Sequence, residues 1–245
     1  MDNKLKADIS FWTGFYNDED CVSWASNKAY LDMNRTMTFK EEIPKNNSDE
    51  EKRIKEQRAK WVEECTNIIR SNFNAVQKDF KAWHAGTCEQ IIKYYENDKL
   101  VLRNGTKRTN TPAKLTYGQA QKWLNMTLKY LWLLDRLSLI DDKNVHNFIY
   151  THSKSFHVPL DSYILKYVAK QDKSQDDKFA PSHNNELNDD NSFNYFWETY
   201  GSAWSRIDKA DDYYEYQNKL ANAIANTTPL EWELIHWHKA LKYYG

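Results

Sequence analysis

The chain predicts an all-α protein on three grounds: a shortage of turn-forming residues, apolar residues recurring at helical spacing, and capping residues ahead of those runs. Only 6 of its 245 residues are Gly and 5 are Pro, where average usage would give about seventeen and about a dozen. Glycine supplies the positive-φ turns of hairpins and tight strand connections. A P-loop, a dinucleotide-binding crossover or a many-stranded sandwich each needs several well-placed glycines, and no such set is present. Aromatic residues make up 15% of the chain, with 10 Trp, 16 Tyr and 10 Phe, which is too rich for disorder. The core is therefore expected to be built from aromatic rings, in one helical unit or two helical subdomains around a cleft.

From Asn17 to Met33, Cys21, Trp24, Ala25, Ala29 and Leu31 or Met33 recur at helical spacing. Pro44 and the polar run after it mark a turn, and Ser48 followed by Glu51 reads as a capping box opening a long helix. Trp61, Cys65, Ile68 and Ile69 fall on one face of that helix, which is expected to end near Asn72 or to run on toward Lys81. Thr87 with Gln90 repeats the capping pattern ahead of Ile91, Ile92 and Tyr95. Arg103 to Lys114 is a basic loop of turn formers. Leu115 to Leu134 is the most apolar helical run, with Thr116 at its start and Leu124, Leu128 and Leu131 as a buried stripe. A short helix is expected over Asp142–Tyr150, and another begins at Asp161. Lys170 to Asn194, rich in Asn, Asp and Ser, reads as a mobile surface loop. Asp208 to Ala225 reads as a helix, and Thr228-Pro229 starts the last one, with threonine at N-cap and proline at N1. The expected organisation is N-terminal helices over 1–100, a hairpin and central core over 101–169, the loop over 170–194 and C-terminal helices over 195–245. About eight helices result.

Lys and Arg total 34 against 35 Asp and Glu, a formal net charge of −1. That argues against a strongly basic, non-specific nucleic-acid binder while leaving room for a local basic patch. Cys21, Cys65 and Cys88 form no CxxC pair or metal-ligand set and read as free thiols in a reducing, cytoplasmic compartment. Met1-Asp-Asn-Lys-Leu-Lys leads into no apolar stretch, and Leu128–Ile140 is interrupted by Lys129, Asp135 and Arg136, so neither a signal peptide nor a membrane span is expected. His236 and His238 are two residues apart and point to different faces of a helix, so no metal site is assigned to them. No metal or cofactor is expected elsewhere. The pairs Asp141-Asp142, Asp189-Asp190 and Asp211-Asp212 read as solvated charge.

Gly118-Gln119-Ala120-Gln121-Lys122 is a run of small residues feeding a helix, whose free backbone N–H groups and dipole would favour an anion such as phosphate. Lys122 shares a polar stripe with Asn125, Met126 and Lys129. Partial burial beside a second cation such as Lys129 is the usual way to make a lysine amine nucleophilic.

These residues resemble the helix-hairpin-helix DNA glycosylases, and the 8-oxoguanine glycosylases in particular. That family carries a Gly-Val-Gly-x-Lys hairpin with a nucleophilic lysine. Downstream it has Val-Pro-Val-Asp ahead of a short helix, with a catalytic aspartate. Gly118-Gln-Ala-Gln-Lys122 is similar to the first element and Val158-Pro-Leu-Asp161 to the second. The resemblance implies Lys122 as the Schiff-base lysine, Asp161 as the catalytic carboxylate, and duplex DNA with an oxidised or otherwise modified base as the partner of a monomeric enzyme. It further implies phosphate contacts from Gly118, Gln119 and Ala120, with Arg103, Lys107, Arg108 and Lys114 as a phosphate-binding patch. Trp197, Trp204, Trp232 and Trp237 read as core, and one of them, with Trp232 as the choice, would close the base pocket whose wall Met126 lines. The pattern departs from the family at Ala120, which replaces the second hairpin glycine, at Met126, where oxidised-guanine readers often carry cysteine, and in the 39 positions between Lys122 and Asp161. Two other readings accompany it: a phage-defence glycosylase acting on modified phage DNA, and a non-catalytic helical module binding DNA or protein.

Overall fold

The computed structural model describes residues 20–37, 49–73, 79–97, 115–173, 200–201, 203–224 and 227–244. Among them are eight α-helices and no strand: α1 (Cys21–Met33), α2 (Asp49–Phe73), α3 (Phe80–Asn97), α4 (Tyr117–Arg136), α5 (Lys143–His152), α6 (Ser162–Lys173), α7 (Ala210–Ile224) and α8 (Pro229–Tyr244). Single 3-10 turns cover Asn34–Thr36, Ser153–Ser155 and Trp204–Arg206. None of the described helices is long and apolar enough to cross a membrane.

Several helix starts have a local chemical cause. Asp20 accepts from the N–H groups of Val22 and Ser23 at the head of α1, and Asp142 accepts from Asn144 and Val145 at the head of α5. At α8, Thr228 Oγ1 accepts from Glu231 N (3.4 Å) and Glu231 Oε2 accepts from Thr228 N (3.3 Å), the reciprocal capping box with Pro229 at N1. The Ser48–Glu51 box cannot be compared, because Ser48 lies outside the described residues.

Two expected boundaries are corrected. Thr87 starts no helix; it lies inside α3, where its hydroxyl donates to Trp83 O at 2.8 Å and accepts from Asn72 Nδ2 at 3.0 Å. Threonine that bonds back to the carbonyl four residues earlier is compatible with a helix interior, and the start of α3 is instead set by Asp79, which accepts from Lys81 N. The expected loop from Lys170 also begins too early, since α6 continues to Lys173. The remainder of that loop lies outside the described residues.

Helix α4 is the centre of the molecule. Every residue from Tyr117 to Leu128 is buried, on all faces, because α1, α3 and the Trp204–Arg206 turn pack around it. The Leu124, Leu128 and Leu131 stripe faces the core as expected. At its far end, Ser138 N donates to Asp135 O (2.8 Å) and Leu139 N to Leu134 O (3.0 Å), with Ser138 at φ 54°. That is the Schellman arrangement, closed by the buried Leu139. Aromatic rings fill the space between α2, α3 and α4: Trp61 meets Trp123 at 5.3 Å and Tyr95 at 5.4 Å. The three cysteines are buried and none is in a disulfide, and burial beside Asp20 pushes the Cys21 thiol up to about 12, leaving it protonated.

Candidate active site: a buried lysine–aspartate pair

The opening of α4 is built around Thr116. Its hydroxyl accepts from Gln119 N (3.1 Å), and Gln119 Oε1 accepts from Thr116 N (3.0 Å). The same Gln119 side chain donates to Thr36 O at 2.6 Å, tying the start of α4 to the end of α1. Thr116 Oγ1 also donates to Ser205 O at 2.8 Å. One polar cluster thus joins three segments distant in sequence.

These bonds correct the phosphate-binding expectation for Gly118, Gln119 and Ala120. Their N–H groups are taken by Ile207 O (2.8 Å), Thr116 Oγ1 (3.1 Å) and Thr116 O (3.1 Å), respectively. All three residues are buried. The glycine serves instead to admit a neighbouring backbone: a Cβ at Gly118 would overlap the Trp204 carbonyl oxygen and crowd Ile207. That close approach lays Trp204 over the same helix face one turn further on, where its ring lies 5.9 Å from Lys122 Nζ.

Lys122 is only 5% exposed. Its ammonium nitrogen lies 3.4 Å from Asp161 Oδ2 across the core. A buried amine needs a counter-charge, and Asp161 is delivered to it by the head of α6. Asp161 Oδ1 accepts from Ile164 N at 2.8 Å as the N-cap, which leaves Oδ2 turned toward the lysine. The preceding strand-like segment is fixed by Gln217 of α7, whose amide donates to Val158 O (2.7 Å) and accepts from Val158 N (3.3 Å).

Lys129, expected as a second cation on the Lys122 stripe, has its charge paired. Its ammonium lies 2.6 Å from Glu233 of α8, with the glutamate side chain 2% exposed. Asn125 is also occupied: its Nδ2 donates to Gln121 Oε1 (2.8 Å) and Tyr213 OH (2.7 Å), and its Oδ1 faces His84 Nε2 at 3.0 Å. With Asn125 Oδ1 as acceptor, His84 must carry its proton on Nε2, so Nδ1 accepts from Tyr214 OH at 2.8 Å. Burial lowers His84 to about 4 and His157 well below its usual value, so both are neutral rings.

Two of the four tryptophans considered from sequence, Trp204 and Trp237, lie at the pair. Trp232 packs against Tyr167 and stacks on His236 with centroids 4.6 Å apart. Trp237, five residues on and turned to another helix face, donates from Nε1 to Asp161 Oδ2 at 3.3 Å. Met126, one turn past Lys122, is buried in the core cluster. Trp197 and the basic residues Arg103, Lys107, Arg108 and Lys114 lie outside the described residues. A cavity of about 650 Å³ lies elsewhere, lined by Phe80, Lys81, His157 and Tyr214 among others, and contains neither Lys122 nor Asp161. Because a lysine–carboxylate pair is chemistry and that cavity is only space, the pair is the candidate site. Among the described residues no three His, Cys, Asp or Glu side chains converge as a metal site would require.

No protein-family model, curated protein or solved structure matches this chain.

Proposed function

We propose that the chain is a DNA glycosylase with abasic-site lyase activity, excising an oxidised or otherwise modified base through a Schiff base on Lys122. One observation carries the reading: the Lys122 amine and the Asp161 carboxylate, 39 positions apart in two motifs that resemble the glycosylase pair, meet at 3.4 Å. An exposed helix lysine has no reason to meet that particular aspartate.

The chemistry follows from the two groups. A target base stacked in a duplex is out of reach, so the nucleotide is extruded toward the protein. Asp161 Oδ2 takes a proton from the Lys122 ammonium and passes it to the departing base, and its carboxylate then faces the positive charge left on the sugar. The amine bonds to C1′ as the glycosidic bond breaks and the base departs with a proton. Ring opening then breaks C1′–O4′, protonates O4′ and leaves the C1′=N Schiff base. Loss of a C2′ proton expels the 3′ phosphate and cleaves the strand, the covalent-lysine route. Of the two indoles at the pair, Trp237 is 38% exposed and Trp204 is 9% exposed.

Borohydride reduction tests this directly. Duplex DNA carrying a single abasic site, incubated with protein and borohydride, is expected to yield a covalent adduct with the wild type and none with Lys122→Ala. Absence of a wild-type adduct, or an adduct that survives Lys122→Ala, overturns the reading.

A further inference from the structure

Asp161 has its two carboxylate oxygens held from different helices. Oδ1 is fixed by the Ile164 N–H of its own helix at 2.8 Å. Oδ2, the oxygen facing Lys122, also accepts from Trp237 Nε1 at 3.3 Å. Trp237 comes from α8, which α6 packs against, so the donor belongs to the scaffold and not to the Asp161 turn. The ring of Trp237 is itself steadied, with Lys129 Nζ lying 6.0 Å from its centroid. Lys129 is in turn fixed by Glu233, one turn before Trp237 on α8. The indole therefore connects two buried ion pairs, giving its N–H to the carboxylate of one and its face to the cation of the other.

This arrangement matters because a carboxylate with one free oxygen can turn about its Cβ–Cγ bond. For Asp161 to accept the lysine proton, Oδ2 must keep its direction while its charge changes. A second hydrogen bond, from a donor on another helix, supplies that constraint. At 38% exposure the Trp237 N–H still spans helices to a carboxylate in the site.

The geometry points to Trp237 as a positioning residue for Asp161: its indole N–H holds Oδ2 in line with the Lys122 amine and thereby sets the rate of Schiff-base formation. This rests on the glycosylase–lyase reading. Trp237 acts through Asp161, and its effect falls on the covalent step and not on DNA affinity.

The discriminating variant is Trp237→Phe, which keeps an aromatic side chain on α8 and removes the N–H donor together with part of the ring. With a labelled duplex containing one abasic site, single-turnover adduct formation under borohydride is followed against protein concentration. The maximal rate is expected to fall about tenfold, with the half-saturating concentration unchanged within about twofold. In parallel, the indole N–H resonance lost in Trp237→Phe is expected to move in the Asp161→Asn protein without DNA. An unchanged maximal rate in Trp237→Phe, a rise in half-saturation alone, or an indole resonance insensitive to Asp161→Asn each overturns the assignment while the lyase reading stands. A wild-type protein that forms no adduct removes the lyase reading and this role with it.

Discussion

His84 has both ring nitrogens engaged inside the core, by Asn125 and Tyr214, and burial holds its pKa at about 4. An unfolded histidine protonates near 6.5. Between these values the unfolded chain carries a proton that the native state refuses, so stability is full above pH 6.5 and falls as pH drops toward 4. For His84 alone the loss between pH 7 and pH 5 is about 2 kcal/mol, and His157, lowered by burial and by His84, adds in the same direction. Urea unfolding at the two pH values is expected to show the decrease, and a smaller one in His84→Gln. A pH-independent midpoint would remove the buried neutral ring from the account. The sequence offered no sign of this network, because Asn125 read only as part of a polar stripe and His84 carried no motif. Lys122 and Asp161 were legible because each sits in a short pattern that local spacing preserves. Trp237 was not, since its partner is 76 positions away.

At the scale of the helix, α3 and α4 each carry a glycine with opposite consequences. A Cβ at Gly86, within α3, meets nothing within 4 Å, whereas one at Gly118 meets the Trp204 backbone. Gly86→Ala is expected to stabilise the protein by about 0.5–1 kcal/mol, through helix propensity. Gly118→Ala is expected to destabilise it by about 1–3 kcal/mol and to displace Trp204 from Lys122. Urea titrations of both variants, with tryptophan fluorescence as the second probe, check the signs. Equal shifts would mean that Gly118 admits no neighbouring backbone. Helix starts were readable at Thr116, Asp142 and Thr228, where the cap is a neighbour in sequence, whereas the equally local cap Asp79 was not read. Thr87 misled because the same hydroxyl that caps a helix also bonds back within one, and a tertiary donor, Asn72, decided between the two.

Across the whole molecule, α8 closes the site through Lys129–Glu233 and Trp237–Asp161. Removing one member of so buried an ion pair strands the other, so Glu233→Gln is expected to cost about 3–5 kcal/mol. The double variant Lys129→Met/Glu233→Leu is expected to recover most of that, because no charge is then left in the core. Urea unfolding of the single and double variants separates these outcomes, and a Glu233→Gln protein as stable as wild type would place the pair in solvent. The sequence alone determined the helical class, most helix starts and the two motifs, because glycine supply, periodicity and capping act within a few residues. Tertiary structure decided that the N–H groups at Gly118 are already bonded, that Lys129 is neutralised, and that Trp237 instead of Trp232 reaches the carboxylate. Those outcomes depend on which backbone and which charge arrive from tens of residues away, and no local pattern encodes that arrival.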